Sequence, residues 1–272
     1  MKREPAFAGQ FYSLDKKDLE KELKNAFSLC GEPAKSKNKN SILAAVCPHA
    51  GYMYSGSTAA YSYKALKEDG NQKTFVIIGP NHGSVGPAIS IYPSGGWETP
   101  LGSVEIDAEL AGKIADERFK LDESAHIYEH SVEVQLPFLQ HLFKDFKIVP
   151  ICVMDQRLSL MKELGEKLAK VLGDGQVLIA STDFSHYIPN EEAYARDFKA
   201  IEAIKSLDED RLMEEIKKND ISMCGYGGVA AAIVCARARG AVSGELLKYM
   251  TSGDVTGDKS SVVGYGSLIL KK

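Results

Sequence analysis

Three short apolar runs constrain this chain most: "SILAAVC" (Ser41 to Cys47), "TFVIIG" (Thr74 to Gly79) and "QVLIAST" (Gln176 to Thr182). Each has the length of a strand and is too short for a core helix. "TFVIIG" is rich in β-branched residues and almost wholly apolar, so it must be covered on both faces, as strands of a parallel sheet are. The segments between the runs have helical periodicity. Leu19, Leu23, Ala26, Phe27 and Cys30 mark an amphipathic helix over Asp15 to Cys30. "STAAYSYKALKE", "LSLMKELGEKLAKVL", Glu191 to Ser206 and Asp208 to Lys218 read as further helices, and "GYGGVAAAIVCARARG" as a small-residue helix packed closely on its neighbours. Strands alternating with helices predict an α/β sandwich (α/β/α) with a mostly parallel, mixed central sheet.

Other segments fill in the pattern. "AISIY" and "KIVPICV" add strands, with Pro150 arguing against a regular central place for the second. "PSGGWETPLGSVEID" reads as a hairpin or a mobile loop, and "GEPAKSKNKNS" as a polar loop. Glu129 to Phe143 reads as a helix that Pro137 kinks or interrupts. "ELLKYMTSGDV" and "SSVVGYGSLIL" predict two final strands, joined by a Gly/Asp loop and paired antiparallel at an edge. No internal repeat or linker divides the 272 residues, so one domain over 1–272 is expected.

Composition narrows the function classes. The net charge is −4 with signs mixed along the chain, and no basic stripe marks a nucleic-acid surface. No apolar run approaches the roughly 18 residues of a membrane span. The first residues have no apolar signal-peptide core. Five cysteines at irregular spacing argue against a disulfide framework and fit a reducing cytoplasm.

Chemistry-bearing residues gather where the strands should end. "PHAGY" follows "ILAAV", "NHG" follows "FVIIG" and "DFSH" follows "VLIAS". Open α/β sheets bind ligands beyond the carboxyl ends of their strands, so His49, His82, Asp183 and His186 are expected at one rim. Two imidazoles with a thiolate or carboxylate form a metal-site composition. Cys224 in "SMCGYGG" is the candidate third ligand, placed where a helix begins and where a thiol pKa would fall. His186 and Asp183 would serve as acid/base groups or as supports behind the ligands.

Other residues divide between functional and structural readings. His130 and Glu133 share one side of a helix at i and i+3 and form either a local ion pair or a support for a ligand. Asn81 either donates to a bound ligand or stabilises its own turn. His126 and His141 read as solvated. Cys30, Cys47, Cys152 and Cys235 read as core. Arg3 and Pro5 read as a cap on the sheet, with a tie near the site as the alternative. Tyr52, Tyr54, Trp97 and Tyr187 would line a ligand cleft if they are not ordinary packing.

The segments "EPAFAGQFY", "PHAGYMYSG", "GPNHG", "EHSVEVQLPFL", "STDFSHY" and "MCGYG", in this order over nearly the whole chain, resemble the Memo family, which includes the B component of the AmmeMemoRadiSam set. The resemblance implies a phosphorylase-like α/β/α core similar to that of class III extradiol dioxygenases. Those enzymes hold non-haem iron with two histidines and a glutamate. Carried over by motif, His49 and His82 match the histidine ligands, His186 the acid/base histidine with Asp183 beside it, and Cys224 the place of the carboxylate. A soft thiolate there shifts preference toward copper, zinc or thiolate-ligated iron and adds a redox-sensitive ligand. The resemblance also implies a functional link to a radical-SAM protein and, in animal members, binding of phosphotyrosine segments.

Three functions are therefore expected in descending order. The first is metal-dependent redox or oxygen chemistry, with copper or iron at His49, His82 and Cys224. The second is a non-catalytic module gripping a peptide or small molecule in the same cleft. The third is a thiol hydrolase with Cys224 as nucleophile, His186 as base and Asp183 as orienter.

Overall fold

The elements, in chain order, are β1 (Lys2–Arg3), α1 (Lys16–Leu29), β2 (Ile42–Cys47), α2 (Tyr52–Asp69), β3 (Thr74–Pro80), β4 (Ile89–Ile91), β5 (Gly96–Thr99), β6 (Gly102–Ile106), α3 (Ala108–Ile114) and β7 (Lys120–Leu121). They continue with α4 (His130–Glu133), α5 (Leu136–Leu142), β8 (Lys147–Val153), α6 (Leu158–Val171), β9 (Gln176–Ser181), β10 (His186–Ile188), α7 (Asn190–Lys205), α8 (Glu209–Asn219), α9 (Tyr226–Ala238), β11 (Ser243–Thr251), α10 (Ser252–Thr256) and β12 (Val262–Lys271). The structure is a computed structural model that describes residues 2–30, 39–70 and 72–272. Most of the expected "GEPAKSKNKNS" loop, at 31–38, lies outside these residues.

The three apolar runs are neighbours. The strands join one sheet in the order β1-β5-β6-β8-β3-β9-β2-β12-β10, with β3, β9 and β2 parallel and adjacent at its centre. Alternation sends successive side chains to opposite faces. Val76 and Ile78 enter one core with residues of α6, α7 and α9. Phe75 and Ile77 enter the other with residues of α1, α2 and α5. This is the expected α/β sandwich with a mostly parallel, mixed sheet.

The expected hairpin is present as β5 and β6, paired antiparallel. The last two strands pair antiparallel as predicted, but the short helix α10 joins them. One expectation is corrected, and the expected interruption near Pro137 is present. β8 is an interior strand, because Pro150 falls where the sheet forks: pairing with β6 ends at Ile148 and pairing with β4 begins at Ile151. The missing N–H is therefore not asked to bond a neighbour. Glu129 to Phe143 is two helices, with Pro137 in the first turn of α5, where a missing N–H costs nothing.

Candidate metal centre

His49, His82 and Asp183 each stand two residues beyond the end of β2, β3 and β9. Because those strands are adjacent and parallel, the residues share one rim. Cys224 arrives from the turn before α9, where its sulfur accepts the Asp183 N–H at 3.2 Å. Close approach requires glycine beside it: a Cβ on Gly225 would collide with the Ser181 carbonyl. One donor atom from each of His49, His82 and Cys224 lies within 4.8 Å of the other two.

Hydrogen bonds behind the imidazoles fix their tautomers. The single proton of Ser181 Oγ is given to the Ser131 carbonyl at 2.6 Å. Ser181 Oγ therefore accepts from Gln135 Nε2 at 2.8 Å and from His49 Nδ1 at 2.9 Å. The lone pair of His49 is then on Nε2, which lies 3.1 Å from Cys224 Sγ. His82 follows the same logic. Its Nδ1 faces Glu129 Oε1 at 2.9 Å, and its backbone N–H donates to Glu129 Oε2 at 2.6 Å. Burial opposes ionisation of Glu129, but the His82 ring hydrogen bond and charge and the Ser131 N–H outweigh it, holding the acid at about 2. An ionised acceptor takes Nδ1–H, so Nε2 is the His82 nitrogen directed away from Glu129.

Burial keeps His49 neutral by pushing its pKa down to about 3, aided by repulsion from His82. His130 is driven to about 3 by burial and by His49. Its ring is stacked between Phe11, with centroids 4.4 Å apart, and His82, at 4.5 Å. Asp183 accepts the His49 N–H at 2.8 Å. Burial raises its carboxyl to about 6.

The donor set fits a transition metal. Bonds of about 2.05 Å to nitrogen and about 2.3 Å to sulfur would separate the two donors by about 3.1 Å at a right angle and about 3.6 Å at a tetrahedral angle. The observed His49 to Cys224 distance is 3.1 Å.

Several expectations change. The Cys224 thiol is not activated by the helix that follows: burial and the Asp183 charge push it up to about 12. Its imidazole partner is His49 rather than His186. His186 Nδ1 faces the Ser222 carbonyl at 2.8 Å, which fills the orienting place the hydrolase reading gave to Asp183. His126 is wholly buried, not solvated: a turn at Ser124–His126 carries it under Tyr92 and Trp97, with Nδ1 3.3 Å from Cys152 Sγ. His141 is exposed as expected, and the four cysteines read as core are buried. Tyr52 and Trp97 are core residues, which leaves Tyr54 and Tyr187 on accessible surface. Asn81 stabilises its own turn, donating from Nδ2 to the Val85 carbonyl at 2.7 Å.

His130 and Glu133 do not pair with each other. Glu133 Oε2 accepts from Arg3 Nη1 at 2.7 Å and from the Ala6 N–H at 2.9 Å. Its Oε1 accepts from the Phe7 N–H at 2.9 Å and from the Tyr12 hydroxyl at 2.6 Å. Arg3 also grips the carbonyls of His126 at 2.6 Å and Glu129 at 3.0 Å. The N-terminal motif therefore ties down the loop behind the site as well as pairing with the sheet edge through β1. Glu129 and Ser181 are the supporting residues missed in the sequence. Glu129 stands beside His130 in a quoted motif, and Ser181 ends an identified strand opposite Cys47.

The family profile described as "Memo-like protein" matches residues 3–269. The chain belongs to the Memo family. A MEMO1 family protein of Methanopyrus kandleri is 45% identical over 282 residues, covering all of both chains. Relatives in Methanothermobacter thermautotrophicus and Nitrosopumilus maritimus are 44% and 41% identical, each covering 98% of this chain and at least 99% of their own. This Memo-family chain thus has a potential metal-binding cleft of two histidines and a cysteine. Among the described residues no helix is long and apolar enough to cross a membrane.

Proposed function

We propose that this Memo-family protein holds a copper or iron ion on His49 Nε2, His82 Nε2 and Cys224 Sγ, with zinc as the non-redox alternative, and uses it for redox or oxygen chemistry on a small molecule. The observation that carries the reading is convergence: each imidazole gives Nδ1 to a buried acceptor, and one donor atom from each of His49, His82 and Cys224 lies within 4.8 Å of the other two. When bound, a redox-active metal supplies electron transfer. Ser181 and Glu129 orient the imidazoles, Asp183 anchors the His49 backbone, and His186, half-buried at the rim, serves as the proton-transfer group. The side chain of His82 is 38% exposed, so a ligand reaches the centre from solvent.

A second reading has its own support. Tyr187 is 78% exposed and held at φ 58°, a conformation costly for an aromatic residue. In that reading the cleft grips a peptide or small ligand without catalysis, Tyr187 and Tyr54 providing ring contacts. A cytoplasmic setting is consistent with the free cysteines, and the link to a radical-SAM protein comes from the family resemblance.

The test is metal content after purification without chelator. Wild type should carry about one equivalent, and His49→Ala/His82→Ala and Cys224→Ser should each lose most of it. Equal metal in all three proteins overturns the proposal.

A further inference from the structure

The cleft contains a second donor set that the first does not use. One ligand atom from each of His82, Glu129 and His130 lies within 4.8 Å of the other two. Glu129 Oε1 is 2.9 Å from His82 Nδ1 and 3.5 Å from His130 Nδ1. Two bonds of about 2.1 Å separate their donor atoms by about 3.0 Å at a right angle and about 3.4 Å at a tetrahedral angle, so both contacts have the spacing of metal-ligand edges. The Glu129 side chain is 1% exposed, and its ion-pair partners among the described residues are these two imidazoles. Arg3, the nearby guanidinium, goes instead to the Glu129 carbonyl and to Glu133. A buried carboxylate without a fixed cation is a strong attractor for one.

We infer that Glu129 Oε1, His82 Nδ1 and His130 Nδ1 form a second, harder cation site for a divalent ion of the manganese and iron class, and that it competes with the thiolate site for His82. Two histidines and one carboxylate with open positions suit such ions, whereas a thiolate selects softer ones. Competition follows from the ring. Neutral imidazole has one lone pair. In the metal-free chain Nδ1 faces Glu129 Oε1 at 2.9 Å. A neutral ring that coordinates through Nδ1 carries its proton on Nε2, and one that coordinates through Nε2 carries it on Nδ1. His82 therefore serves either Cys224 or Glu129, and the softness of the ion decides which. This inference does not depend on a metal occupying the first site.

The experiment is titration of the full chain, stripped of metal, with manganese(II) followed by electron paramagnetic resonance, and with cobalt(II) followed by its thiolate charge-transfer absorption. Cys224→Ser should abolish the cobalt charge-transfer band and leave the manganese dissociation constant within twofold. His130→Phe, which keeps the ring stack on Phe11 and removes both donor nitrogens, should weaken manganese at least tenfold and retain the cobalt band. Saturating manganese should suppress that band in wild type. The inference is overturned if wild type does not bind manganese, if His130→Phe binds it as well as wild type, or if Cys224→Ser loses it. An absent cobalt band in wild type, with manganese bound and sensitive to His130, would instead overturn the thiolate site alone.

Discussion

Arg3→Met tests whether the N-terminal strap supports the site as the hydrogen bonds indicate. The Arg3 and Glu133 side chains are 4% and 0% exposed. Removing the guanidinium leaves a buried carboxylate with three neutral donors and strips the charged donor from the His126 and Glu129 carbonyls. It also removes the cation seated 4.1 Å from the Trp97 ring centroid. Breaking one side of such a buried pair costs about 3–5 kcal/mol. The chain has 272 residues. At about 2.1 cal/mol/K per residue the unfolding entropy is about 0.57 kcal/mol/K, so a loss of about 4 kcal/mol lowers Tm by about 7 °C. Calorimetry of wild type, Arg3→Met, Glu133→Gln and the double variant measures this. The double variant no longer buries a naked charge, so it should cost about 2 kcal/mol less than the sum of the singles. A Tm drop below 2 °C for Arg3→Met, together with additive singles, would refute the reasoning.

Ser181→Ala removes the acceptor of His49 Nδ1 and should weaken metal binding by about 10–100-fold, measured by chelator competition. With its thiol pushed up to about 12, Cys224 should react with iodoacetamide at pH 7.5 about 10³-fold more slowly than a free cysteine, as read by mass spectrometry of the labelled peptide. Stability of the metal-free chain should fall with acid in stages, read from Tm against pH. His49, His126 and His130 sit at about 3 when folded, so the unfolded chain takes up protons the folded chain refuses, costing about 1.4 kcal/mol per pH unit for each below about 6.5. Asp183 and Asp197, raised to about 6, act in the opposite sense between about 6 and 4, and Glu129, held at about 2, adds to the loss below about 4.5. The decline should therefore be shallow from pH 6 to 4, steep from about 4 to 3, and slight below 3, where only Glu129 still contributes; a uniform slope would contradict these assignments.

The frame of the fold was legible because "TFVIIG", "ILAAVC" and "QVLIAS" carry their environment in their composition: only a strand covered on both faces tolerates such runs. His49, His82 and Asp183 were legible as rim residues for the same reason, since strand ends in such sheets face one side. Glu129 was not. In the structure its Oε1 caps α4 by accepting the Ser131 N–H at 2.8 Å; that the same carboxylate holds His82 depends on β3 ending beside α4. Arg3 and Glu133 are 130 positions apart, and no periodicity links them. His126 was misread because its turn looks solvated by composition, while the hairpin that buries it lies some twenty to thirty residues upstream.

The order of the strands explains why Ser181 and Asp183 belong to the site although neither is among its candidate ligands. β2 and β3 are not neighbours; β9 lies between them. Strands are spaced by about 4.8 Å, so residues just past β2 and β3 have backbones about 9.6 Å apart. The imidazoles must lean toward each other across the end of β9 to bring their ring centroids to 5.4 Å. Whatever ends β9 then lies against the His49 ring and other buried N–H groups. A large apolar side chain would wedge the rings apart and leave His49 Nδ1–H unpaired, whereas serine is small and supplies an acceptor. The next outward-facing position, Asp183, meets the His49 N–H and, through its own N–H, the Cys224 sulfur. One strand end thus fixes the spacing of the imidazoles and the seat of the thiol together, so a substitution there should disturb all three donors at once.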